Sequence, residues 1–323
     1  MNKIKRTGKL LKAAFAVLFR EKKLLLFPLI ASALAVVVAL FFIAPIAFYP
    51  TDHSYFSMAH WSALGSKLMP GFEEAHHTPD QPMMVGKTSV VSLLSGNWWA
   101  APFFAIVYFT SMFFATFSNV AFYHEIMQAL NGNAVSIRRG FRFAMTRWKA
   151  VLLWSLFAGL VGYLIQALQE RLGFFGRMVT GLIGFVWSVA CIFIIPTLVR
   201  DTETSNPLEH LRHSAGTLKK TWGELIIGFV GLEAAFGAVF VAALLVVIPV
   251  AGSIYCLNSN YHGATVWIIV AGIAVLFLLG LVLSWISSVV NPVYRCALYI
   301  YATEGVVPGT FDKELLDSAW KVK

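Results

Sequence analysis

Six apolar runs, at about residues 24–49, 98–123, 150–168, 178–199, 225–250 and 265–294, constrain this chain more than any motif in it. A bilayer core about 30 Å thick takes about 20 apolar residues of helix, and each run is close to or above that length. Backbone in lipid must satisfy its own hydrogen bonds, which for runs of this length means helices. Only 13% of the residues are charged and 58% are hydrophobic, against roughly 25% charged in a soluble domain. The reading is an all-α polytopic membrane protein, one membrane domain over residues 1–323 with six transmembrane helices. The first run follows a basic segment, as a signal peptide would. Its apolar part is too long for one and has no small-residue cleavage site, so a retained helix is expected.

Basic residues give the run order a direction. Of the 25 Lys and Arg residues, 21 lie in residues 1–23, 124–149, 200–221 and from Arg295 onward, and the other four are Lys67, Lys87, Arg171 and Arg177. The rich side is expected to be cytoplasmic, with both termini there. This bias, with attraction to anionic lipid headgroups, accounts for a net charge of +9 without any nucleic-acid partner. Cys191, Cys256 and Cys296 make neither a pairable framework nor a CxxC site.

A basic segment with an apolar stripe at helical spacing precedes each odd-numbered run. The first carries Ile4, Gly8, Leu11, Phe15 and Leu18, and the second Ile137, Phe141, Ala144 and Trp148. The third has Leu208, Leu211, Ala215, Leu218 and Trp222 on one face. These predict three cytoplasmic interfacial amphipathic helices. Ser136 is the expected cap of the second, and Asn206 with Pro207 and Glu209 starts the third. Thr221 to Glu224 reads as a capping box opening span five. The expectation is a threefold repeat of interfacial helix, outward span and inward span, with units at about 1–123, 133–199 and 206–300 and a tail over 301–323. Only the first unit has a large outer insertion, residues 50–97, where Met58, Trp61, Leu64 and Leu68 suggest a surface helix and Trp98 with Trp99 an aromatic belt.

Glu233 is the costliest residue in the six runs. Counted from Leu225, it lies about 12 Å into the membrane at about 1.5 Å per residue. An ionised carboxylate there costs at least about 2.5 kcal/mol, so it should face protein or water, or be held neutral by desolvation. Gly228, Gly231, Ala235, Ala238 and Ala242 form a small-residue stripe opposite it, so span five is expected to be covered on both faces. Asn119, Ser188 and Ser287, with Ser32, Thr116, Ser155, Cys191 and Ser284, fall at a similar depth, and Glu233, Asn119, Ser287 and Ser188 are the candidate intramembrane polar site. The plainer alternative is hydroxyls bonded to their own preceding turn and a neutral acid with one partner. Pro28, Pro196 and Pro292 sit near the cytoplasmic ends of spans, and Asn291 before Pro292 reads as a hinge or a helix-end bond. The segment GFEEAHHTPD at 71–80 gathers Glu73, Glu74, His76, His77 and Asp80, but adjacent histidines ligate one metal poorly and a solvated loop is expected.

LLLFPLIAS (24–32), SNVAFYHEIMQAL (118–130), IQALQERLGFFGRM (165–178), IIPTLVRD (194–201), TLKKTWGE (217–224) and CALYIYATEGVVPGTFD (296–312) together resemble a domain-of-unknown-function family of bacterial six-helix membrane proteins, over nearly the whole chain. The resemblance implies a fold and a bacterial inner-membrane location, with no known activity, cofactor or catalytic residue. The outer insertion and Glu233 depart from that pattern. Neither a G-x-S-x-G elbow, nor a phosphate-binding glycine loop, nor an intramembrane His or carboxylate cluster is present, so an enzyme is not expected, nor a cofactor or metal. Two functions remain as expectations. One is transport or permeation of a small solute, ion or lipid past Glu233. The other is a membrane-organising or partner-binding scaffold, with anionic lipid and a homo-oligomer as its partners.

Overall fold

The structure is a computed structural model that describes residues 3–68, 100–172, 174–257, 262–309 and 311. The described residues form helices and no strand: α1 (Lys3–Arg20), a 3-10 turn (Lys22–Leu25), α2 (Leu26–Ala47), α3 (Met58–Leu68), α4 (Ala100–Leu130), α5 (Ile137–Thr146), α6 (Trp148–Arg171), α7 (Phe174–Ala190), α8 (Ile194–Arg200), α9 (Pro207–Leu257) and α10 (His262–Glu304). Six helical segments are long and apolar enough to cross a membrane.

Three helices far exceed what a bilayer needs. α4, α9 and α10 have 31, 51 and 43 residues, against about 20 for a crossing. Burial follows the excess. In α10 the side chains Ile273, Val275, Phe277, Leu278, Leu281 and Val282 are exposed, as lipid-facing residues would be, while nearly all from Val289 to Ile300 are buried. α4 changes in the same way, from exposed Phe104, Ile106 and Tyr108 to a buried run beginning at Val120. These helix ends therefore build a protein-packed core, to which Ala14, Val17, Leu24, Phe27, Phe193 and Leu198 also belong.

The chain divides into two compact units. One comprises Met1–Ile30, Phe117–Ala150 and Ser188–Lys323, and holds most of that core. The other comprises Ala31–Thr116 and Val151–Trp187. Within the second, Trp154 stacks on Trp187 with ring centroids 6.2 Å apart, and Tyr108 donates to the Gly159 carbonyl at 3.3 Å.

The connection from α4 to α5 shows how the core is tied. Gly132 adopts φ +87° just past α4, a left-handed turn that glycine takes without a Cβ penalty. Glu21 then accepts from the Val135 N–H at 3.1 Å, and Arg20 donates to the Ala129 carbonyl. α5 starts on Ser136, whose hydroxyl accepts from the Arg139 N–H, as the sequence predicts. At Gly140 a Cβ would lie 2.8 Å from the Ala121 carbonyl oxygen and 2.9 Å from Glu125 Cγ, so α5 crosses α4 at backbone contact distance.

Span four is interrupted at Cys191–Phe193, between α7 and α8. Pro196 has no N–H to offer the Ile192 carbonyl, and its ring crowds that oxygen, so the helix breaks one turn before it. Ser214 of α9 bridges the gap, donating to the Ala190 carbonyl at 2.6 Å and accepting from the Phe193 N–H at 3.2 Å.

Two expectations fail here. The third interfacial helix is not a separate element: residues 207–220 run without interruption into span five as α9, so the threefold repeat is not reproduced. Thr221 is accordingly no cap. Its hydroxyl donates to the Thr217 carbonyl at 3.0 Å, one turn back inside the same helix. The buried face of this stretch is also only partly the apolar one. His210, Ser214, Thr217, Leu218 and Thr221 are buried, whereas Leu208 is exposed and Leu211 half-buried. In the outer insertion α3 forms where a helix is predicted, with Leu64 buried and Met58 and Trp61 exposed. Residues 69–99, including the 71–80 segment, Trp98 and Trp99, lie outside the described residues.

Candidate functional site

Glu233 does gather polar partners, and all of those seen are on α10. Ser287 Oγ donates to Glu233 Oε1 at 3.3 Å, Asn291 Nδ2 donates to the same oxygen at 2.5 Å, and Asn291 Nδ2 also reaches Ser287 Oγ at 3.0 Å. Residues 287 and 291 are one turn apart, so they present to one face of α10 together. Nδ2 of Asn291 faces Glu233, and its Oδ1 is buried without a hydrogen-bond partner among the described residues.

Other packing resets the depth of this cluster. Trp285 Nε1 donates to the Leu25 carbonyl at 3.1 Å, and Phe15 of α1 meets Phe236 at 6.5 Å between ring centroids. Leu25 closes the turn that begins span one, directly after Lys22 and Lys23. Ser287 and Glu233 therefore lie close to the level of Leu25 along the helices. The Glu233 side chain is exposed. Of the small-residue stripe, Ala235 is half-buried and Ala238 and Ala242 are exposed.

The sequence-predicted site is thus partly assembled. Glu233 and Ser287 meet, while Asn119 and Ser188 belong to α4 and α7 and are exposed. Thr116 and Ser155 bond back to the Met112 and Val151 carbonyls one turn earlier, the plain alternative for hydroxyls in these spans. Asn291, read as a hinge or helix-end residue, is the stronger partner of Glu233. Its spacing of four from Ser287 was the available signal.

Sequence reasoning missed two buried charged centres in the core. Glu125 is fully buried and is held by Arg139, with Nε to Oε1 at 2.8 Å and Nη2 to Oε2 at 2.6 Å, and by the Ser136 N–H at 2.7 Å. Arg147, between α5 and α6, donates to the carbonyls of Leu198 (3.3 Å), Thr202 (2.8 Å), Asp201 (2.5 Å) and Thr204 (3.1 Å), and burial pulls its pKa below the usual arginine value. Among the described residues no group of three or more His, Cys, Asp or Glu side chains is placed to hold a metal ion.

The family of unknown function DUF6159 matches residues 99–309, about two thirds of the chain. The chain belongs to that family. The matched stretch starts after the outer insertion and contains Glu125, Arg139, Arg147, His210, Glu233, Ser287 and Asn291. It leaves out α1 and α2, so it is narrower than the span of the resembling motifs, of which LLLFPLIAS lies outside it. No curated protein and no solved structure matches the chain.

Proposed function

We propose that this chain is a non-enzymatic membrane-organising protein of the bacterial cytoplasmic membrane, with both termini cytoplasmic, that holds anionic lipid at a helical core built on the cytoplasmic side. A threefold repeat would have offered transport a pseudo-symmetric path. An uninterrupted α9 takes that support away. The observation that carries the present reading is the Trp285 to Leu25 hydrogen bond, which brings the Glu233 cluster close to the level of Lys22 and Lys23. Exposed Lys12, Lys22, Lys23, Lys219 and Lys220 supply charge on the same side of the spans, and each basic residue near an anionic surface adds about 1 kcal/mol.

The test is lipid retained by the full-length protein purified from nanodiscs of mixed anionic and zwitterionic phospholipid, read by mass spectrometry. Anionic lipid should be enriched, and Lys219→Gln with Lys220→Gln should reduce the enrichment while leaving the helical content unchanged. Equal retention of both lipids would overturn the proposal. Orientation is checked separately: single cysteines at Ser66 and Ser205, in a background without the native three, should label from opposite sides, and labelling of both by an impermeant reagent in intact cells would contradict it.

Passage of a small cation is the second reading, favoured by the unpaired Asn291 Oδ1 beside Glu233. Glu233→Gln keeps an acceptor for both donors and should leave stability within about 1 kcal/mol, whereas Glu233→Lys sets a donor against two donors and should cost about 1–3 kcal/mol and lower abundance. Cation flux into proteoliposomes that Glu233→Gln abolishes would establish the second reading over the first.

A further inference from the structure

The turn between α8 and α9 is wrapped around charge. Arg147 holds the carbonyls of Leu198, Asp201, Thr202 and Thr204, so its guanidinium closes the end of α8 and fixes the path of residues 201–204. The carboxyl group of Asp201 then faces two imidazoles with a single oxygen. Its Oδ2 lies 2.8 Å from Nδ1 of His213, which is exposed, and 4.0 Å from Nδ1 of His210, which is fully buried. Neither ring nitrogen of His210 completes a well-formed hydrogen bond among the described residues, although the Thr204 backbone faces the ring. One turn on, Ser214 is the residue that bridges the break in span four.

We propose that His210 is a proton-operated latch, whose protonation loosens the 201–204 turn and, through Ser214, the seat of α9 on the break in span four. The groups that face it are Asp201 and the Thr204 backbone from the turn, Arg147 from between α5 and α6 and His213 from its own helix. Burial is the largest influence and lowers its pKa from the ordinary 6.5. Arg147 and His213 push the same way, while Asp201 and the Thr204 backbone oppose them. With both histidines neutral, Arg147 and Asp201 balance. With both protonated, three cations share one carboxylate.

The sign follows from linkage. Below pH 6.5 the unfolded turn binds a proton more readily than the packed one, so the packing around His210 is at full strength above that pH and weakens as pH falls below it. A protonated ring must either draw Asp201 away from His213 or reach water, and both require the turn to move. Contact between Ser214 and the span-four break then transmits the movement, because the two residues share one helical face one turn apart.

Hydrogen exchange of the full-length protein in nanodiscs tests this, with protection over residues 198–215 corrected for intrinsic exchange at about pH 7.5 and about pH 5.5. Protection should fall severalfold on acidification in the wild type, up to about ten-fold, the most that one group with an ordinary value of 6.5 can supply at about pH 5.5. The fall should be absent in His210→Gln, which cannot titrate, and should persist in His213→Gln. Unchanged protection in the wild type, a fall that survives in His210→Gln, or one that disappears in His213→Gln would each overturn the proposal. Should His210→Gln fail to fold, the wild-type and His213→Gln measurements still decide it.

Discussion

Arg139→Met should cost the protein about 2–3 kcal/mol, below the loss of a pair buried on both sides, because Glu125 is enclosed while the Arg139 side chain is 42% exposed. Glu125 is fully enclosed, and two of the three hydrogen bonds to its oxygens come from the Arg139 guanidinium. Without them the carboxylate would keep only the Ser136 N–H. The site also serves as a helix cap. At the start of α5 the usual capping-box acid position, three residues after Ser136, is occupied by Arg139, and Glu125 of α4 supplies the missing carboxylate from another helix. Loss of the pair should therefore undock α5 as well as strand a charge. Thermal unfolding of the detergent-solubilised protein should show a large drop in midpoint. Arg139→Lys should recover less than half of it, because an ammonium cannot reproduce the two-pronged contact. Glu125→Met with Arg139→Met should be more stable than Arg139→Met alone. A double variant as unstable as the single would mean that the pair is not coupled.

Arg147→Met should cost about 2–4 kcal/mol by a different route, since it strands carbonyls rather than a charge. Four backbone oxygens, from Leu198, Asp201, Thr202 and Thr204, converge on one guanidinium, and buried acceptors left without donors cost about 1–3 kcal/mol each where water cannot replace the bond. Part of the turn is exposed, so water should satisfy some of them and hold the total well below four full penalties. Limited proteolysis should report the change locally, with new cleavage at 201–206 in Arg147→Met and little in Arg147→Gln, whose amide can still reach one carbonyl. Cleavage confined to other connections would show that Arg147 does not hold this turn.

Both of these centres were invisible as interactions in the sequence, and the reason is common to them. Arg139 and Arg147 counted only toward the charge bias, and Glu125 lay at the end of an apolar run where nothing local names a partner. Their bonds join residues 14 and more than 50 positions apart, and helical periodicity carries no information at that range. Shorter-range chemistry was legible. Ser136 caps α5 and α3 forms at 58–68, because both depend on residues within a turn or two. Glu233 with Ser287 was legible as well, through cost: a carboxyl group in an apolar run demands a donor, and Ser287 lies at a matching count along the opposing span.

The apolar runs by themselves determined that this is an all-helical chain with six spans, since a polypeptide in lipid has almost no other way to satisfy its backbone. They could not determine where a span ends, because a side chain facing lipid and one packed in protein are equally apolar. Only the tertiary structure decided that α4, α9 and α10 run on into a shared core, that Glu233 meets both Ser287 and Asn291, and that the buried face of residues 207–221 carries His210, Ser214, Thr217, Leu218 and Thr221. The T-x-x-E pattern at Thr221 fits a helix start and a helix interior equally well, because a threonine hydroxyl can bond forward to a free N–H or back to a carbonyl one turn earlier. Which bond forms depends on whether the preceding turn is already helical, and the packing of Ser214 against the broken fourth span holds it so.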